Sequence, residues 1–130
     1  MKCLLILVLC LGMAACGGNG NENTTESTAE ASKPKKITFT VKNKTGAKII
    51  DVGINSSDSR MTHMSYGSIE KSSTETLKNK YLPRTIGLHW SKMNKDRTSA
   101  NLRIGEALGP NYQGPVTLTI QPNGSVSISK

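Results

Sequence analysis

Few side chains in this 130-residue chain can do chemistry, and their spacing limits which chemistry is open to them. The cysteines are Cys3, Cys10 and Cys16, all near the start. A thiol can be alkylated to a stable thioether, and the small residues Ala14 and Ala15 before Cys16 would let the peptide enter a narrow protease site. His63 has Asp58 and Ser65 close by, the residue types of a nucleophilic triad, but neighbours along a serine-rich loop are not a triad geometry. Met61-Thr62-His63-Met64 combines thioether and imidazole, ligands that suit Cu(I), with Met93 and His89 as possible additions from elsewhere. The competing reading tucks the methionines under the loop as gap-fillers and leaves His63 exposed. His89 alternates with Leu88 and Trp90, which predicts an outward-pointing surface imidazole. Nucleophile elbow, phosphate-binding glycine loop and zinc spacing are all missing, so neither catalysis nor a cofactor is expected.

Charge points to binding. The chain has 17 Lys plus Arg against 9 Asp plus Glu, a net charge of +8. Lys2, Lys33, Lys35 and Lys36, with Glu22, Glu26 and Glu30, precede position 37, so the remaining 13 basic and 6 acidic residues leave +7 on residues 37–130. Such an excess favours phospholipid headgroups, anionic envelope glycans or an acidic protein. Lys42, Lys44 and Lys48 surround one turn, and Lys92, Lys95, Arg97 and Arg103 surround another. If both turns lie at one end they form a positive patch; otherwise the lysines blunt exposed sheet edges. Tyr66, Tyr81, Trp90 and Tyr112 lack the spacing of a stacking platform, and no nucleic-acid partner is expected.

These residues have to be positioned by strands, because residues 37–130 show a period of two repeatedly and no sustained helical period. Ile37, Phe39 and Val41 alternate with Thr38, Thr40 and Lys42; Asn43-Lys44-Thr45-Gly46 is a turn candidate; Ile50, Val52 and Ile54 share the next face. The pair reads as a hairpin. A loop over residues 56–68, a strand over 73–77 and a strand over 84–92 with Ile86, Leu88 and Trp90 inward come next. Residues 99–104 form another strand with Leu102 and Ile104 inward, then a loop over 108–114. Val116, Leu118 and Ile120 face the core, as do Val126 and Ile128 after the tight connection Gln121-Pro122-Asn123-Gly124. About seven short strands with one apolar face each predict an all-β, antiparallel two-sheet sandwich with an immunoglobulin-like or transthyretin-like outline. A small barrel is the alternative. The stretch FTVKNKTGAKIIDVGI, residues 39–54, resembles the opening of small exported bacterial β-sandwich lipoproteins, which implies a shared fold.

Upstream, Met1-Lys2, an apolar run over residues 4–11 and the small residues before Cys16 have the layout of a signal peptide over 1–15. The run is too short to span a bilayer as a helix, which needs about 20 residues. Leu11-Gly12-Met13-Ala14-Ala15-Cys16 resembles the bacterial lipobox, with Met13 in place of the more usual leucine. The resemblance implies diacylglyceryl transfer to the Cys16 thiol, cleavage after Ala15 and acylation of the new N-terminus, so that the membrane is a partner through the lipid. Two or three acyl chains anchor stably where one does not. Residues 17–36, GGNGNENTTESTAEASKPKK, have almost no large apolar side chain and read as a flexible tether with a reach of about 25 Å. With every cysteine upstream of the domain, residues 37–130 must fold without disulfides.

These readings converge on a lipid-anchored, non-catalytic binding protein of the cell envelope, holding and inhibiting an exported, acidic protein in the manner of immunity proteins. The expected location is the outer membrane facing the periplasm where one exists, and otherwise the outer face of the cell membrane. An accessory lipoprotein that meets a secretion or surface machine through a sheet edge is one alternative. A Cu(I)-binding lipoprotein is another. Cys16→Ser should abolish incorporation of a fatty-acid probe and leave an unprocessed precursor, because a hydroxyl is not alkylated in place of the thiol. Equal label in both proteins would exclude the lipid anchor.

Overall fold

Successive side chains of a strand point to opposite faces, so alternating apolar residues build a chain with one face to bury. The computed structural model describes residues 35–130; the expected signal peptide, Ala15, Cys16 and the tether up to residue 34 lie outside the described residues. The strands are β1 (Ile37–Asn43), β2 (Ile49–Asn55), β3 (Met64–Ile69), β4 (Thr74–Asn79), β5 (Thr85–Lys92), β6 (Arg97–Arg103), β7 (Val116–Ile120) and β8 (Val126–Ser129). One short helix, α1 (Ile104–Leu108), lies between β6 and β7. Two four-stranded sheets result, ordered β4-β1-β7-β8 and β3-β2-β5-β6. Neighbours pair antiparallel except β1 and β7, which run parallel from Phe39 opposite Val116 to Asn43 opposite Ile120. The chain is thus a small all-β sandwich.

The core lies between the sheets. Phe39, Val41, Val52, Ile54, Ile86, Leu88, Trp90, Leu102, Val116, Leu118 and Ile120 are buried, each on the face that alternation predicts. Val126 and Ile128 are half-buried on the outer strand β8. In β2 the alternation misleads at its first position: Ile49 is fully buried and Ile50 is only half-buried. Asp51 has φ 51°, and the pairing with β3 and β5 shifts register there, so the bulge restores Val52 and Ile54 to the inner face. Tyr66 of β3 donates its hydroxyl to the Phe39 carbonyl in the other sheet at 3.2 Å, and burial pushes its phenol pKa up.

The expected β1–β2 hairpin does not form. β1 pairs with β4 and β7, whereas β2 pairs with β3 and β5, so residues 43–49 cross from one sheet to the other. The reason lies in Asn43, which shares the inward face of Phe39 and Val41 and is fully buried. A buried amide must find partners. Its Nδ2 donates to the carbonyls of Ala47 at 2.7 Å, Ile69 at 3.1 Å and Glu70 at 3.0 Å, and its Oδ1 accepts from the Thr45 amide at 3.0 Å and hydroxyl at 2.8 Å. One side chain thereby ties this crossing to a second one, residues 70–73, which joins β3 to β4. The backbone adds Asn43 N–H to the Ser73 carbonyl, 2.9 Å.

Other corrections are local. The stretch 56–68 was expected to be loop throughout, yet β3 starts at Met64; its alternation is hidden by Gly67, which takes φ 69° beside a register shift. Ile104 is buried as the first residue of α1 rather than as the end of β6. At the end of the sandwich away from Asn43, Gln113 bonds both backbone groups of Leu82, at 3.1 and 2.7 Å, pinning the β4–β5 crossing. Trp90→Ala should cost about 3–5 kcal/mol in urea unfolding. Asn43→Ala should cost about 3 kcal/mol by orphaning the carbonyls it serves. Asn43→Asp should cost more, because a carboxylate donates to none of them. A loss under about 0.5 kcal/mol for either Asn43 variant would remove Asn43 from its structural role.

Candidate functional site

The strand registers gather four connections at one end of the sandwich: the crossings 43–48 and 70–73, the β5–β6 hairpin over 93–96 and the β7–β8 hairpin over 121–125. Asn43 lies opposite Ile120, Lys42 opposite Thr74, Ile49 opposite both Ile69 and Lys92, and Ser91 opposite Arg97. Lys42, Lys44, Lys48, Lys92, Lys95 and Arg97 therefore share this loop end. Lys71, which the sequence reading left out, joins them from the second crossing. Arg103 does not. It lies opposite Thr85 at the far end of β6 and forms an ion pair with Glu106 at 3.1 Å.

Not every cation at the loop end is free. Lys48 meets Glu70 at 2.6 Å and Arg97 meets Asp51 at 3.3 Å; both pairs are solvent-exposed, where such contacts are worth little. Lys42, Lys44, Lys92 and Lys95 make no ion pair among the described residues. Between the two hairpins opens a cleft of about 650 Å³, with Trp90, Lys92, Asn94, Lys95, Asp96 and Asn123 in its walls. Trp90 is held in place by the core, while the hairpins supply charge and amide groups. Such a surface offers hydrogen-bond donors and positive charge above a fully buried Trp90, which suits recognition of an acidic surface.

The residues proposed for chemistry lie in different surroundings. Asp58 is engaged by Arg60 through bonds of 2.9 and 2.7 Å, which hold its carboxyl below the usual carboxylate range, and Arg60 in turn sits 3.9 Å above the Tyr81 ring. The carboxylate thus orients Arg60. Met61 and Met64 are buried in the core, whereas His63 is exposed on the outside. Among the described residues no group of three His, Cys, Asp or Glu side chains could hold a metal ion.

His89 corrects the expectation of a surface imidazole. It does leave the core face of β5, yet it is only 7% exposed. Its ring lies on Gly53, the residue directly opposite in β2, where an added Cβ would sit 2.6 Å from Nε2. His63 stacks alongside with ring centroids 6.1 Å apart and planes 8° from parallel. The available signal was Gly53, a glycine inside a strand, which marks close approach of another group. Burial lowers the His89 pKa below the ordinary 6.5; Arg97 and His63 act in the same direction and Asp51 opposes them. The unfolded chain therefore takes up this proton at higher pH than the folded one. Stability should be level above the ordinary histidine range and fall as pH drops through it. In His89→Gln, urea midpoints measured from neutral to acidic pH should lose that part of the slope; an unchanged profile would show that His89 titrates as a free imidazole.

No family model and no curated protein matches the chain. Among solved structures, the NMR structure of a protein from Eubacterium rectale is similar, with a TM-score of 0.50 and 8% sequence identity over 72% of this chain and 86% of that one. At so low an identity the likeness lies in the fold alone.

Proposed function

We propose that the protein is a lipid-anchored, non-catalytic binding protein of the cell envelope that holds an exported acidic protein at its loop end, as immunity and inhibitor proteins do. The observation that carries this reading is the group of lysines at the loop end that make no ion pair among the described residues, remote from where the described chain enters. β1 starts at the end opposite the loops, where Ile37 faces Asn79, and runs toward the end that holds Lys42, Lys44, Lys92 and Lys95. A chain tethered at Cys16 would enter at one end and offer these four lysines at the other. Electrostatic attraction of this kind raises association rates and selects partners of opposite charge. The groups at the loop end bind and orient, with cationic and amide side chains carried on hairpins whose base is fixed by the buried Trp90.

A second reading has its own observation. β6 is a seven-residue outer strand whose pairing with β5 runs without a register shift, and it contains no proline. An edge of that kind accepts an added strand, as an accessory lipoprotein of a secretion or surface machine would require.

Affinity purification from the native culture followed by calorimetry with the captured protein tests the leading reading. Lys44→Glu, Lys92→Glu and Lys95→Glu together should weaken binding at least about tenfold, with a steep dependence on salt. Arg103→Glu, at the other end, should change it less than about twofold. Unchanged affinity in the triple variant would overturn the assignment of the loop end.

A further inference from the structure

A second group of cations lies at the other end of the sandwich, in different company. β3 and β4 are outer strands of their respective sheets and border each other across the same edge. Between them is a cleft of about 330 Å³ lined by Lys36, Lys78, Lys80 and His63, with Thr62 and Ser65 beside them. Lys36 directly precedes β1, and the pairing of Ile37 with Asn79 brings it next to Lys78 and Lys80 at the point where the chain enters the sandwich. The cleft is held by a buried amide. Asn79 Nδ2 donates to the Thr62 carbonyl at 2.7 Å, and its Oδ1 accepts from the Lys80 amide at 2.8 Å, so one side chain fixes the segments that carry Thr62, His63 and Lys80.

The loop end intersperses its cations with Glu70, Asp51 and Asp96. Here no Asp or Glu lines the cleft, and Lys36, Lys78 and Lys80 take part in no ion pair among the described residues. Ammonium groups gathered without a counter-charge repel one another, and that repulsion is relieved by an anion that accepts hydrogen bonds from several of them at once. A phosphate does so, with hydroxyls as additional donors. We propose that the β3–β4 cleft binds the phosphate of an anionic phospholipid headgroup, seating the entry end of the domain on the membrane and directing the loop end away from it. The choice of ligand rests on the anchored reading above, which brings headgroups within reach; the cleft itself does not depend on what the loop end binds.

The test uses the full chain carrying Cys16→Ser, so that no acyl chain contributes, in co-sedimentation with vesicles of phosphatidylcholine alone or mixed with phosphatidylglycerol. Segments common to all variants contribute equally, and the difference between the two vesicle types is the readout. Preference for the phosphatidylglycerol vesicles is expected. Lys36→Gln/Lys78→Gln/Lys80→Gln should reduce it at least about tenfold with an unchanged thermal melt. Arg84→Gln/Arg103→Gln/Lys130→Gln removes equal charge from the same end but the other edge, and should change it less than about twofold. No preference for the anionic vesicles, or equal losses in the two triple variants, would overturn the proposal. So would displacement of the chain from vesicles by glycerol phosphate at a concentration matching the lipid, since the ligand would then be a soluble phosphate. Fatty-acid labelling at Cys16 reports the anchor separately, so a chain that takes label yet shows no headgroup preference defeats this inference alone.

Discussion

The carboxamide of Asn43 is the contact on which the rest of the structure depends. It sits where a fourth inward apolar residue of β1 would continue the pattern of Ile37, Phe39 and Val41, and it is fully buried. Burying an amide is unfavourable unless its hydrogen bonds are remade, and here they are remade with both of the sheet-to-sheet crossings at the loop end. That is why the crossings lie side by side and in step. Once β1 and β2 are assigned to different sheets, β1 is free to pair with β4 on one side and β7 on the other, and β2 with β3 and β5. The loop end inherits its shape from this: the lysines of the first crossing and the β5–β6 hairpin are near each other because Asn43 closes the sandwich there.

Asn79 repeats the device at the opposite end. Its buried amide joins the end of β4 to Thr62 before β3, just as Asn43 joins the end of β1 to Ile69, the last residue of β3, and to Glu70. Buried amides thus brace the sandwich near both ends of the β3–β4 edge, while the middle is held by apolar packing. Without disulfides among residues 37–130, such fully satisfied polar contacts specify which strands adjoin, a task that interchangeable Ile, Leu and Val side chains perform poorly.

Much of this was legible in the sequence. The alternation of Phe39 with Val41, of Ile86, Leu88 and Trp90, and of Val116, Leu118 and Ile120 identified the inner faces and the all-β class, since each needs only a period of two. Pairing was not legible, because Asn43-Lys44-Thr45-Gly46 has the composition of a hairpin turn and nothing local reveals that the asparagine points inward. Bulges escaped for a related reason: one extra residue at Asp51 moves Ile49 into the core in place of Ile50, and Gly67 interrupts β3 enough to disguise it. For the candidate site, the cationic residues were identifiable by type, but Arg103 could be separated from Lys92, Lys95 and Arg97 only by knowing that β6 carries it to the far end. The burial of His89 needed its partner across the strands, Gly53, to be known.

The position of β1 also governs how the molecule carries force. The described chain enters through this strand, which is central in its sheet: it is paired with β4 over Ile37 to Lys42 and with β7 over Phe39 to Asn43. A load applied at Lys35 and resisted at the loop end runs along the strand axis, so the two ladders are loaded in shear together, and the fully buried Phe39 and Val41 have to slide past the opposite sheet. Entry through an outer strand such as β8 would let the same pull peel one ladder bond by bond. Resistance to forced unfolding is set by the unfolding rate rather than by equilibrium stability, and this geometry opposes a load carried along β1.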